Sequence, residues 1–394
     1  MPTEATFLLA GLFIVAAVTG WAFARFSDFR RDDPAPTSIS PDYLRGLNLV
    51  LNRQTDEALE LFVRMAKVDD ETLETHFALG HLFRRRGEVD RAIRVHQNLL
   101  ARPTLSVAQR HQALFSLAQD YLGAGLFDRA EKLFGELGSS STLGAAALRS
   151  LVDIYERQSD WSKAIEAHRE LEMLTGEKST EVAHYYCELA ERARLGGDLD
   201  LARQHLKSSV RSAGGAFRGA LIRAAIAQEE GDYPQALRLY EQVLEADRRL
   251  MVEVLPELVG CYRESGREQE LESYLQTIID KDSLVKQEIA YAAILGQLAE
   301  PPVMADCMEN FILKNDVLSS ILDTDRIAEL PSQERQAAIL RIANGLRRLA
   351  MSSPRYRCTT CGYNSQRLVW HCPSCKTWES VRPLQKFKFE GLIT

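Results

Sequence analysis

Six short phrases built around an alanine recur along the middle of this 394-residue chain. They are Asp-Glu-Ala58-Leu, Asp-Arg-Ala92-Ile, Asp-Arg-Ala130-Glu, Ser-Lys-Ala164-Ile, Asp-Leu-Ala202-Arg and Pro-Gln-Ala236-Leu. Their alanines stand 34, 38, 34, 38 and 34 residues apart. A turn signal precedes most of them: Gly87-Glu, Gly125-Leu, Ser159-Asp, Gly197-Asp and Gly231-Asp. A fixed period of this size means that each unit is too small to bury its apolar face alone and must stack on its neighbours.

The spacing predicts a helix, a turn and a second helix per unit, which is the tetratricopeptide (TPR) pattern. Gly80 and Ala118 take the small position of the first helix, where neighbouring helices approach closely. Phe83, Tyr121 and Tyr155 take its large position, and Phe62, Phe134 and Tyr240 the aromatic position of the second helix. These aromatics read as inter-repeat core. The four extra residues of the 38-residue spacings fall in turn-like segments near Pro103–Thr104 and Thr175–Thr180. Gly266-Arg-Glu opens a seventh, degenerate copy with Glu270 in place of the alanine. Repeats are thus expected over 41–280. Residues 281–351 keep apolar helical periodicity, broken by Pro301-Pro302 and Pro331, and are expected to form degenerate repeats and a capping helix.

Near the C-terminus stand Cys358, Cys361, Cys372 and Cys375, two Cys-x-x-Cys pairs ten residues apart. This spacing can set four thiolates at the corners of a tetrahedron. Gly362 permits a positive φ after the first pair, and Pro373 stiffens the second. Residues 354–394 are therefore expected to form a small rubredoxin-like ribbon folded around one metal ion per chain. Four sulfur ligands leave no open position for water, which points to a structural zinc, with iron possible on the same donors. His371, beside a ligand, reads as a spectator.

The stretch Thr6 to Ala24 carries no charge, and Arg25, Arg30 and Arg31 follow it. About 19 residues at about 1.5 Å each suffice for the hydrocarbon core, so residues 1–25 read as a transmembrane anchor and 26–40 as a linker. Glu4 and the lack of Lys or Arg in the first five residues argue against a cleaved signal peptide. The arginines predict a periplasmic N-terminus and a body on the cytoplasmic side of the inner membrane. The other cysteines, Cys187, Cys261 and Cys307, are an odd number in helical patterns, as expected of reduced core thiols.

The chain carries a net charge of −7. Residues 354–394 hold seven basic and two acidic side chains, so the ribbon is +5 and the remainder −12. A basic module can dock on an acidic solenoid. Nucleic-acid binding is not expected, given the acidic body and the lack of an aromatic-rich RNA or single-strand motif. No phosphate loop, HExxH or GxSxG occurs, so the chain is not expected to be an enzyme. TPR geometry nominates Phe77, His81, Arg84, Arg85, Phe115, Gln119, Asp153 and Arg157 as groove-facing partner contacts.

The order of parts, with particular stretches, resembles the lipopolysaccharide assembly protein B family of Gram-negative bacteria over essentially the whole chain. The stretches are Ser40-Pro-Asp-Tyr43, Leu82-Phe-Arg-Arg-Arg-Gly-Glu-Val-Asp-Arg-Ala-Ile-Arg-Val-His-Gln97, His184-Tyr-Tyr-Cys-Glu-Leu-Ala190, Pro354-Arg-Tyr-Arg-Cys358 and Trp370-His-Cys-Pro-Ser-Cys375. The resemblance implies a non-enzymatic inner-membrane adaptor with metal on the four ribbon cysteines and the ribbon packed on the repeats. It implies as partners the deacetylase of the lipid A pathway, a membrane-anchored AAA+ zinc protease that degrades it, and other lipopolysaccharide assembly proteins. Segment 284–350 matches the family poorly, so no partner contact is carried over there. A general scaffold for envelope assembly and a rubredoxin-type electron carrier are the alternatives.

Overall fold

The computed structural model describes residues 41–52, 54–68, 73–140, 142–212, 216–282, 285–298, 302–352 and 354–384, with Val18, Thr19 and Trp21. The apolar stretch Thr6–Ala24, expected as an anchor, otherwise lies outside them, as do the linker and residues 385–394. Among the described residues no helix is long and apolar enough to cross a membrane.

The chain divides into two compact units, Met1–Ala147 and Leu148–Thr394. In the first, helix pairs stack in sequence: α1 (Pro41–Leu51) with α2 (Thr55–Val68), α3 (Leu73–Arg85) with α4 (Val89–Leu100), and α5 (Val107–Gly123) with α6 (Phe127–Leu137). Ala58, Ala92 and Ala130 are wholly buried, as their fixed place in the repeat requires. Gly80 is small for a visible reason. A Cβ there would sit 2.4 Å from the His96 ring. That ring is itself buried, with Nδ1 2.5 Å from the buried carboxylate of Asp120, which also pairs with Arg84 at 2.6 Å.

The second unit continues the pattern. It runs from Leu148, within α7 (Gly144–Gln158), through α8 (Trp161–Thr175), α9 (Glu181–Leu195), α10 (Leu199–Arg211), α11 (Ala216–Glu229) and α12 (Tyr233–Ala246). A 3₁₀ turn, Arg248–Leu250, leads into α13 (Met251–Glu264) and α14 (Glu268–Lys281). Ala164, Ala202 and Ala236 are again wholly buried. Beyond them, α15 (Val285–Gly296) is buried from Ile289 to Leu295, so its pattern has no polar face to read. It packs on α13, on α16 (Pro302–Leu313) and on the long α19 (Ser332–Ser352), with short α17 (Asp316–Ile321) and α18 (Thr324–Ala328) between.

The turns inside the repeats share one construction. Glu88, Leu126, Asp160, Asp198, Asp232 and Arg267 each donate their N–H to the carbonyl five residues back, at 2.8–3.0 Å. The residue before each has a left-handed φ: Gly87, Gly125, Ser159, Gly197, Gly231 and Gly266. This is the helix-ending motif that satisfies the last carbonyls. At Asp160, Asp198 and Asp232 the same turn starts the next helix, because the side chain accepts the N–H three residues on.

Candidate metal centre

Strand β1 (Tyr356–Cys358) lies between β2 (Asn364–Ser365) and β3 (Val381–Pro383), antiparallel to both. Tyr356 pairs with Ser365 on one side and Pro383 on the other. Two Cys-x-x-Cys turns meet at one end with matching hydrogen bonds. The Cys358 N–H donates to Tyr363 O at 2.7 Å, and the Gly362 N–H to Cys358 O at 3.0 Å. In the second turn, the Cys372 N–H donates to Thr377 O at 3.1 Å, and the Lys376 N–H to Cys372 O at 2.9 Å. The residue after each second cysteine is left-handed: Gly362 at φ 77° and Lys376 at φ 61°. The glycine was legible in the sequence; a lysine in that conformation gives no signal.

The four sulfurs lie within 4.8 Å of one another. Cys358 Sγ is 3.6 Å from Cys375 Sγ, and Cys361 Sγ is 3.7 Å from Cys372 Sγ. A tetrahedral zinc with bonds near 2.3 Å has a sulfur–sulfur edge of about 3.8 Å. These two edges match such an ion, the others are at most 4.8 Å, and all four residues are free thiols, so the donor set suits a tetrahedral ion. The surroundings favour thiolate at two of them. The Ser380 hydroxyl, 3.3 Å from Cys358 Sγ, brings that thiol down to about 5. The Thr377 hydroxyl, 3.3 Å from Cys375 Sγ, lowers that group as well. Burial works the other way on Cys372, pushed up to about 11. A divalent ion held by these residues would neutralise the thiolate charge and join the two turns. Four protein ligands close its shell, so the arrangement suits a structural centre.

His371 stands outside the cluster. Its ring stacks on Trp378 at 4.4 Å and 12°, and His184 of α9 also stacks on that indole, at 5.0 Å and 12°. Trp161 and Tyr185 meet the same indole edge-on at 6.0 and 5.7 Å. The indole N–H donates to Glu156 Oε1 at 3.0 Å, and the Tyr185 hydroxyl donates to that oxygen at 2.8 Å. Further along, the Tyr356 hydroxyl donates to Glu253, Arg382 lies 3.8 Å from Asp247, and Arg218 sits over Trp370 at 5.8 Å. The ribbon thus packs on the side of the repeats presented by α7, α9, α11 and α13. Of the charge complementarity expected from the sequence, Arg382 with Asp247 is the one pair of a ribbon Lys or Arg with a carboxylate of the repeats among the described residues; Glu156 and Glu253 accept from neutral donors, and aromatic stacking forms most of the seat. His371 belongs to that seat rather than to the metal shell. Trp378 and its partners carried no sequence signal, because Trp378 and Glu156 are 222 residues apart.

The groove residues nominated from the repeats sort differently. His81 and Arg85 are exposed. Arg84 is committed to Asp120 and to the Ser116 carbonyl. Phe115 packs edge-on against Phe134 at 5.5 Å, and Phe77 lies 6.1 Å from the His96 ring. Gln119 is half-buried. In the second unit, Asp153 and Arg157 pair with each other at 2.8 Å.

Family models match both the ribbon and the repeats. Residues 356–383 match a family model described as rubredoxin metal binding domain. Tetratricopeptide repeat models match 75–107, 115–175 and 220–250. Among solved structures, a crystal structure of MamA is 19% identical, covers 42% of this chain and 93% of its own, and aligns with a TM-score of 0.33. Among curated relatives, lipopolysaccharide assembly protein B of Escherichia coli (strain K12) is 33% identical over 384 residues, 96% of this chain and 98% of that protein. Its counterpart in Haemophilus influenzae is 32% identical with the same coverage. A repeat stack carrying a four-cysteine ribbon, matched nearly end to end at this identity, places the chain in the lipopolysaccharide assembly protein B family.

Proposed function

We propose that this chain is a non-catalytic adaptor in lipopolysaccharide assembly. In this reading it holds the lipid A pathway deacetylase for a membrane-anchored AAA+ protease. The observation that carries the reading is the seat of the ribbon. A four-cysteine cluster, whose thiolates would close the shell of a bound ion, is packed by Trp378 onto the repeats, which suits a rigid binding platform rather than a reaction site. TPR stacks bind proteins along extended concave surfaces. The uncharged stretch Thr6–Ala24 would confine the platform to the inner membrane and raise the effective concentration of a captured client there. Exposed His81 and Arg85 are the groove positions best placed to meet a partner.

The test is a pulse-chase of the deacetylase in cells with and without this protein. Its half-life is expected to lengthen when the protein is absent. Removal of residues 1–25 is expected to slow degradation while the purified chain still binds the deacetylase. Arg85→Glu is expected to weaken that binding with little loss of stability, since the side chain is exposed. Equal decay with and without the protein would remove the adaptor role and leave a general scaffold.

A further inference from the structure

On α10, α11 and α12, outside the ribbon's seat, the second unit has a cleft of about 450 Å³. That is within the range of about 300–1,000 Å³ typical of ligand pockets. Its lining is divided by chemistry. Leu206 and Ile226 form a buried floor, and Val210 extends it to the rim at 65% exposure. Around this apolar strip stand Lys207, Arg211 and Arg223. The fourth cation, Arg203, is already engaged by Asp200 and Glu230. Among the described residues, no carboxylate lies within ion-pair distance of the other three; Arg223 donates only to the Gly219 carbonyl of its own helix, at 3.3 Å. Arg211, in the last turn of α10, also complements the helix dipole. Lys207 and Arg223 have no such use. An excess of positive charge beside exposed apolar surface stands out on a chain of net charge −7.

We infer that this cleft binds a free single-chain anionic amphiphile, an alkyl chain ending in a carboxylate or phosphate. The chain would lie along Leu206, Ile226 and Val210, with the head group between Lys207, Arg211 and Arg223. A peptide suits the cleft less well. Its buried backbone would need donors and acceptors, and the lining offers one neutral polar side chain, Gln235, beside the charged groups. An alkyl chain needs none. A concave cleft between helices also takes one chain, where a bilayer surface would need a broad face.

The experiment uses the full chain in phosphatidylcholine nanodiscs and dodecyl phosphate carrying a photoreactive diazirine near the end of its chain. Cross-links are located by mass spectrometry. Labelling is expected to saturate and to map to residues 203–211 and 223–230. Unlabelled dodecyl phosphate is expected to compete at least about tenfold better than dodecyl maltoside, and inorganic phosphate not to compete. Lys207→Gln with Arg223→Gln, both exposed, is expected to lower occupancy about tenfold with the helical circular dichroism unchanged. Val210→Asp at the exposed rim is expected to lower it as well. Labelling elsewhere, equal labelling of the double variant, or equal competition by the neutral amphiphile would overturn the assignment. So would stronger competition by a glutamate-rich peptide, which would make the cleft a peptide groove. Competition from phosphatidylglycerol nanodiscs matching that of free dodecyl phosphate would reassign it to the membrane surface.

Discussion

At the scale of single residues, the turns inside the repeats show how much one φ angle decides. Five of the six left-handed turn positions are glycine, and the sixth is Ser159 at φ 55°. An L-residue pays steric strain there of order 1 kcal/mol that glycine avoids. The Asp160 N–H still reaches the Tyr155 carbonyl at 2.9 Å, so the motif forms in spite of the serine. Ser159→Gly is therefore expected to stabilise the fold by about 0.5–1 kcal/mol, the strain relief being partly offset by added freedom in the unfolded chain. A urea unfolding midpoint that stays put or falls would show that the serine makes a compensating contact. The turn glycines and aspartates were legible because only a few residue types meet these backbone demands. The partners of Gly80 were not, since its reason is the ring of His96 lying across it from the next helix.

At the scale of elements, one indole joins the ribbon to the helices. Trp378 is 8% exposed, stacked with two imidazoles and hydrogen-bonded to Glu156. Trp378→Ala is expected to cost about 3–5 kcal/mol of ribbon docking. Faster proteolysis between α19 and β1, with helical content preserved, would register it; an unchanged cleavage rate would show that the remaining contacts suffice. His184, in the same seat, gives folding a pH dependence. Burial, then the nearby Arg218, lowers its imidazole to about 4, with Glu181 opposing and His371 adding to the effect. Its unfolded value is about 6.5. Between those two values the unfolded chain binds a proton that the folded chain does not. The contribution of His184 to folding stability is thus complete above about pH 6.5 and declines as pH falls toward 4, by up to about 3 kcal/mol. Glu379 lies 3.7 Å from His184 and is raised by burial, so its own contribution changes in the opposite sense. Comparison with His184→Asn isolates the histidine: the variant's urea midpoint, followed by tryptophan fluorescence, is expected to vary less between pH 7 and 5. Equal slopes would assign the dependence to another group. The four cysteines announced the ribbon through their spacing. Its seat did not announce itself, because contacts such as Trp378 with Glu156 join residues far apart in sequence without a periodic pattern between them.

At the scale of the molecule, two kinds of stability are joined in one chain. The repeats rest on alanines and aromatics buried between neighbouring helices, with a contiguous core from Ala220 to Ala350 in the second unit. The ribbon has three short strands and a cluster of four buried residues, Tyr356, Cys358, Cys372 and Val381. A segment of about 30 residues with so small a core needs a metal to fold. The sequence makes the first kind visible as a period and the second as paired cysteines. It is least informative over α15, where buried residues on every side leave no amphipathic stripe. Removal of bound metal by a strong chelator should then separate the two. Far-UV circular dichroism, dominated by the helices, is expected to change little. Tryptophan fluorescence is expected to shift red as Trp370 and Trp378 enter water, and Trp161 and Tyr185 lose their cover. Cys358→Ser or Cys375→Ser should reproduce this state without chelator. Collapse of the helical signal together with the ribbon would show that the repeats of the second unit depend on the ribbon for their own packing. A ribbon that stays seated after verified loss of metal would show that the aromatic seat alone folds it.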